Sequence, residues 1–175
     1  MLSIRQFIVD IVAGLLGGLL LLRFWMQAIR VRPPQQIGQF TFTLTDWLVL
    51  PLRRILPGVG GYDWASLIGA FLMVLIASSI VLIVGADWHA VLVGALFRFL
   101  NWILYGFMAL LIIDAVFSWV NPHAPLAPFV HALNTPILRP IRRVVPPIGG
   151  IDLSVLVALV LIQIIQFVLR QVFYG

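Results

Sequence analysis

The chain has 175 residues, 62% of them apolar and 10% charged, against roughly 45–50% and about 25% in an average soluble domain. A compact soluble fold of this size cannot hide so much apolar surface, and a mean hydropathy of +1.12 points to lipid as the solvent. All 11 bases are Arg, all 6 acids are Asp, the formal net charge is +5 and Cys is absent, which excludes disulfides, thiolate metal sites and cysteine nucleophiles.

A membrane helix needs about 20 predominantly apolar residues. The first candidate covers residues 7–29, apolar from Phe7 to Leu22 except for Asp10 and continuing past Arg23 to Ile29. It exceeds the hydrophobic core of a signal peptide, and the bulky, basic stretch Arg23 to Arg32 offers no cleavage site, so it is expected to be retained. Residues 64–85 are uncharged up to Gly85 and form the second span. The third covers 99–120 and contains Asp114. Residues 88–98, with His89 and Arg98, read either as an interfacial prelude to it or as its tilted extension. The fourth covers 153–173 and carries Ser154, Gln163, Gln166 and Arg170. The expected fold is all-α, with four spans.

Arginines set the orientation. Arg30, Arg32, Arg53, Arg54, Arg139, Arg142 and Arg143 follow spans one and three, whereas Arg5, Arg98 and Arg170 fall to the other side. The positive-inside rule therefore expects the two long loops in the cytoplasm and both termini across the membrane, in the periplasm.

The chain repeats itself. Pro51-Leu-Arg-Arg-Ile-Leu-Pro-Gly-Val-Gly-Gly-Tyr-Asp63 matches Pro140-Ile-Arg-Arg-Val-Val-Pro-Pro-Ile-Gly-Gly-Ile-Asp152 without a gap, at an offset of 89 residues. Residues 1–87 and 88–175 then form two repeats, each a span, a basic loop and a span. Two spans return the chain to its starting side, so the repeats are expected to be parallel, with both basic loops on one face.

The basic loops have helical period. Ile137, Leu138, Ile141, Val144 and Val145 fall on one face, opposite Arg139, Arg142 and Arg143. Leu48, Val49, Leu52, Ile55 and Leu56 lie opposite Arg53 and Arg54. This is the pattern of a short helix lying in the membrane interface. Thr135 and Pro136 are expected as its N-cap and first residue, with Asp46 the corresponding cap in the first repeat. Pro51 and Pro140 are expected to break or delay it, and Pro57 and Pro146 to end it. The Arg pairs suit anionic lipid phosphate, to which Arg offers paired hydrogen bonds, although plain topology needs only their charge. In the turns that follow, Gly60, Gly61, Gly149 and Gly150 permit a tight reversal. Asp63 and Asp152 can then cap the next helix or share the Arg pair.

Ser118-Trp119-Val-Asn-Pro122, Asn134-Thr-Pro-Ile-Leu-Arg-Pro-Ile-Arg-Arg143, Pro146 and Gly149-Gly-Ile-Asp-Leu-Ser154 resemble the core motif of the YggT family. Leu22-Arg23-Phe-Trp25-Met-Gln27 is similar to the end of that family's first span. The first copy is more degenerate, with Asp46-Trp47 where the second has Thr135-Pro136. The resemblance implies a bacterial inner-membrane protein without established enzymatic chemistry. It also implies links to cell-division gene neighbourhoods, to osmotic-stress tolerance and ion homeostasis, and in plastid relatives to cytochrome complex assembly.

Asp114 is the costly intramembrane charge, at about 2.5–3.5 kcal/mol for a lone carboxylate on insertion scales. Three readings follow: a pair with Arg23 joining the two repeats, an ion or proton site, or an unpaired snorkelling group. Gln163, Gln166 and Arg170 share a face, which reads as inter-helix hydrogen bonding or as a polar pathway. His89, His123 and His131 have no ligand spacing, so neither metal nor haem is expected. No nucleophile elbow, P-loop or dinucleotide fingerprint occurs, and no cofactor is expected. The basic residues are too few for a nucleic-acid footprint.

The resulting expectation is a non-enzymatic assembly or organising factor. It would dock unidentified protein partners and anionic lipid through Arg53, Arg54, Arg139, Arg142 and Arg143. The alternative is a small channel or transporter component, which would call for a homo-oligomer because four helices enclose little lumen.

Overall fold

A computed structural model describes residues 4–56, 58–79, 87–145 and 152–175, and among them every regular element is an α-helix. The helices are α1 (Ile4–Ala28), α2 (Gln35–Ile55), α3 (Trp64–Ser79), α4 (Trp88–Val120), α5 (Ala127–Val144) and α6 (Ser154–Tyr174). Helices α1, α4 and α6 are long and apolar enough to cross a membrane, and α3 is an apolar helix of 16 described residues. The chain divides into two compact units, Met1–Ile103 and Leu104–Gly175, with the boundary inside α4.

In the first unit α3 packs chiefly against α1. Its inward stripe is made of small residues, Ala65, Ser66, Gly69, Ala70 and Ala77, with Met73 and Val74. Small side chains let helix backbones approach closely, the usual basis of helix association in lipid. Leu20 of α1, Val49 of α2, and Ala95 and Phe99 of α4 complete this core. Helix α2 buries Gly38, Thr41, Thr45 and Val49, one face at spacings of three and four.

Helix α1 stops in a Schellman turn. Arg30 adopts φ +57°, while Arg30 N–H donates to Gln27 O at 3.1 Å and Val31 N–H to Met26 O at 2.9 Å. Pro33 and Pro34 then prevent continuation.

In the second unit Leu111, Leu138, Ala158 and Ile162 form the core, flanked by Leu104, Phe107, Ile137 and Ile141. Helix α6 buries only the stripe Ser154, Ala158 and Ile162 and exposes Leu156, Val160, Ile164 and Phe167. Such a face belongs in hydrocarbon rather than water.

Several boundaries differ from those expected. The third span begins at Trp88, not at 99: one helix of 33 residues is about 50 Å long, well beyond a hydrocarbon core of about 30 Å. The prolines expected to start or break the basic helices lie inside them. Pro51 lies inside α2, and Pro136 and Pro140 lie inside α5. The buried face Val130, Leu133, Asn134 and Leu138 packs strongly enough to carry the lost backbone bonds. Thr135 is therefore mid-helix, its Oγ1 donating to His131 O at 2.8 Å.

Candidate functional site

Each unit has a junction where a basic helix meets the start of the next apolar helix. In the first unit Arg53 lies in the last turn of α2 and Asp63 precedes α3. Gly60 and Gly61 adopt φ +69° and +80°, the two left-handed positions of a type I′ turn. Tyr62 N–H donates to Val59 O at 3.4 Å, and Trp64 Nε1 donates to the same oxygen at 3.0 Å. This reversal returns Asp63 to Arg53. Arg53 Nε donates to Asp63 Oδ1 at 3.2 Å and Nη2 to Oδ2 at 2.5 Å.

Asp63 is buried, its side chain 3% exposed, and collects further partners. Ser66 Oγ donates to Oδ2 at 2.6 Å, and Arg23 Nε lies 3.7 Å from the same oxygen. Arg23 Nη1 donates to Asp46 Oδ1 and to Thr45 Oγ1, each at 2.7 Å, and its guanidinium lies 4.9 Å from the Phe42 ring centre. Burial works against the Asp63 carboxylate, but hydrogen bonds from Arg53 and Ser66 outweigh it and hold the group below the usual range. The hydrogen bond to Asp63 likewise raises Arg53 against its own desolvation.

The second unit repeats the pair at the same sequence spacing. Arg142 Nε donates to Asp152 Oδ2 at 2.9 Å, and Nη2 lies 2.7 Å from that oxygen. Ser154 donates to Asp152 Oδ1 through its N–H at 3.0 Å and also through its hydroxyl. Burial again opposes the Asp152 carboxylate, and the Ser154 and Arg142 bonds again prevail and lower it. The surroundings are more open, for the Asp152 side chain is 40% exposed. Gly149, Gly150 and Pro146, like Pro57 in the first repeat, lie outside the described residues.

Nearby, Asp114 is buried and has His131 Nδ1 at 3.4 Å, while Asn134 Nδ2 donates to Leu110 O at 2.8 Å. A cavity of about 490 Å³ is lined by Asp114, His131, Arg142 and Asp152 together with Trp119, Leu153, Val155, Leu156 and Leu159.

The arginines expected to meet lipid or partners thus fall into two groups. Arg53 and Arg142 are bound to carboxylates of their own unit. Arg54, Arg139 and Arg143 are exposed, and among the described residues none of them has a carboxylate within ion-pair reach. Asp46 is not a cap but lies in the middle of α2, where it neutralises Arg23. The expected Arg23–Asp114 pair gives way to carboxylates from Arg23's own unit, because α2 and the Gly-Gly turn bring Asp46 and Asp63 to it.

Gln163 is exposed. Gln166 continues the buried stripe of α6, and its Nε2 is buried without a hydrogen-bond partner among the described residues. Sequence reasoning did not pair His131 with Asp114, although the repeat offset sets His131 opposite Phe42, the ring beneath Arg23. It also did not pair Asp10 with Arg98, whose Nη2 donates to Asp10 Oδ1 at 2.8 Å. Among the described residues no group of three or more His or Asp side chains is placed to hold a metal ion.

The pattern of the CCB3/YggT family matches residues 2–84 and 93–173. The chain is 34% identical over 174 residues to "Uncharacterized protein in proC 3'region" of Vibrio alginolyticus, covering 95% of this chain and 94% of that one. It is 31% identical over 167 residues to "Uncharacterized protein YggT" of Escherichia coli K12, covering 95% and 89%. No solved structure matches.

Proposed function

The chain belongs to the CCB3/YggT family, and from that premise we propose that it is a non-enzymatic organising factor of the bacterial inner membrane, holding anionic lipid and partner proteins through the outward arginines of two basic helices. The observation that carries this reading is the division of labour within each Arg pair. One arginine, Arg53 or Arg142, is neutralised by an aspartate ten residues on. Its neighbour, Arg54 or Arg143, is exposed at the same helix end, joined in the second repeat by Arg139. An exposed guanidinium left unneutralised at a helix terminus is a phosphate ligand in waiting.

In this arrangement α1, α3, α4 and α6 are the four spans. Helices α2 and α5 lie in the cytoplasmic interface, buried on one side and basic at their ends. The termini are periplasmic, since seven loop arginines face three.

The test is lipid retention by purified protein. Arg54→Gln/Arg143→Gln protein, folded and inserted, loses co-purifying phosphatidylglycerol and cardiolipin and its in-cell crosslinks to partners. Unchanged lipid and crosslinks in that variant overturn the reading. A second reading, a small transport component, is favoured only by the buried Asp114 facing a cavity. It requires potassium or sodium flux in proteoliposomes that Asp114→Asn abolishes.

A further inference from the structure

Helix α6 carries an amide where a spanning helix can least satisfy one alone. It has 21 residues, Ser154 to Tyr174, about 30 Å at 1.5 Å per residue. Gln163 is at its middle, so its side chain lies near the midplane of the bilayer. Gln163 is exposed, and among the described residues its side chain makes no hydrogen bond. The midplane is roughly 15 Å from the head groups, too far for a glutamine to snorkel as Lys and Arg do near helix ends. Gln166, three residues on, is half-buried, and its Nε2 has no partner among the described residues either. An amide without a hydrogen bond in hydrocarbon is costly.

Gln163 also belongs to a regular stripe. Leu156, Val160, Gln163, Phe167 and Arg170 follow one another at alternating steps of four and three, and all are exposed. The stripe runs along the side of α6 opposite the buried Ser154, Ala158 and Ile162. Steps of four and three make the seam of two helices that cross at a shallow angle. Lipid alone satisfies the Leu, Val and Phe of this stripe. It offers nothing to the amide between them.

We propose that α6 pairs with α6 of a second copy of this chain, the two Gln163 carboxamides hydrogen-bonding to each other across a two-fold axis along the membrane normal. The inference rests on α6 spanning the membrane and is independent of the outward arginines of α2 and α5. Three features favour a second copy as the occupant. A carboxamide carries both donors and an acceptor, so it is complementary to itself, as a residue on a two-fold axis must be. Copies inserted with one topology hold α6 in parallel, so each seam position meets its own counterpart. Gln163 is the one polar residue of the seam between Leu156 and Phe167, and a single polar seam position fixes register. Arg170 is one turn from the end of α6, where its side chain reaches the head groups, so pairing does not force two guanidiniums together.

The absence of Cys makes the test direct, because a disulfide between single-cysteine chains can form only between two copies. The full-length chain is oxidised with copper–phenanthroline in its own membrane vesicles. Val160→Cys and Phe167→Cys should give disulfide-linked dimers. Ile165→Cys, also exposed but on the other side of α6, should remain monomeric. Association of the cysteine-free chain is then read from energy transfer between labelled copies as they are diluted in liposomes. Gln163→Leu should weaken it by about three- to thirtyfold, the range of inter-helix hydrogen bonds in lipid, and Gln163→Asn, which keeps the amide, should restore most of the loss. Leucine at an exposed position of a span suits lipid, so misfolding does not mask the result. No dimer from either seam cysteine, or linkage of Ile165→Cys as readily as theirs, overturns the proposal. So does a Gln163→Leu chain that associates as strongly as the native one, since the amide would then face lipid or another span of its own chain.

Discussion

Arg53 and Asp63 close a two-bond bridge, Nη2 to Oδ2 at 2.5 Å and Nε to Oδ1 at 3.2 Å, around a carboxylate that water scarcely reaches. Removing one partner of a fully buried pair costs about 3–5 kcal/mol, but the Arg53 side chain is 43% exposed and Asp63 keeps Ser66 and Arg23 as neighbours, so less is lost here. Arg53→Gln should therefore destabilise the protein by about 1–3 kcal/mol, the cost of leaving a buried acceptor partly unsatisfied. Arg142→Gln should cost about 1 kcal/mol or less, because its carboxylate is 40% exposed and keeps both Ser154 hydrogen bonds. Unfolding in mixed micelles followed by Trp fluorescence checks the pair, and equal losses would contradict the assignment.

Acid should act through the same groups. Asp63 and Asp152 are held below the ordinary aspartate value, which is about 3.9. Between the lowered folded pKa and that value the unfolded chain binds more protons, so stability falls as pH falls through this window. The contribution is complete above about pH 5. Stability measured from pH 7 to pH 3 should be flat and then drop, and Asp63→Asn should flatten the acid limb while lowering the neutral plateau.

Gly17 marks a close helix crossing. A Cβ added there would lie 2.3 Å and 2.9 Å from ring atoms of Trp102, whereas one added at Gly18 meets nothing within 4 Å. Gly17→Ala should destabilise by about 1–3 kcal/mol through overpacking. Gly18→Ala should be neutral, or stabilising by up to about 1 kcal/mol from helix propensity. Thermal unfolding of the two variants side by side separates packing from propensity.

Arg30 caps α1 at φ +57°, where a non-glycine residue is strained by roughly 1–2 kcal/mol. Arg30→Gly should raise the unfolding midpoint through a better Schellman cap, provided the lost charge leaves insertion unchanged. A protease-accessibility assay of topology controls for that.

Much was legible in the residues alone. The all-α class followed from apolar runs that no soluble core could hide, and membership of the family followed from the two Arg-Arg and Gly-Gly-x-Asp motifs. The reversal at Gly60 and Gly61 and the closeness of Arg and Asp across it were readable because they are local: ten residues and two glycines leave little choice. The course of α5 was not, because proline rules describe an isolated helix, and the packing of Val130, Leu133 and Leu138 overrides them.

The sequence by itself determined the lipid-like composition, the duplication and the spacing from each Arg pair to its Asp. Only the tertiary structure decided which carboxylates neutralise Arg23 and what Asp114 faces. Helical period tells which face a residue occupies; the partner across from that face depends on how neighbouring helices rotate and slide, and small residues such as Ala65, Gly69 and Ala70 set that by how closely they let backbones approach. Hence Arg23 pairs with Asp46 and Asp63 within its own unit, while Asp114 faces His131 and a cavity.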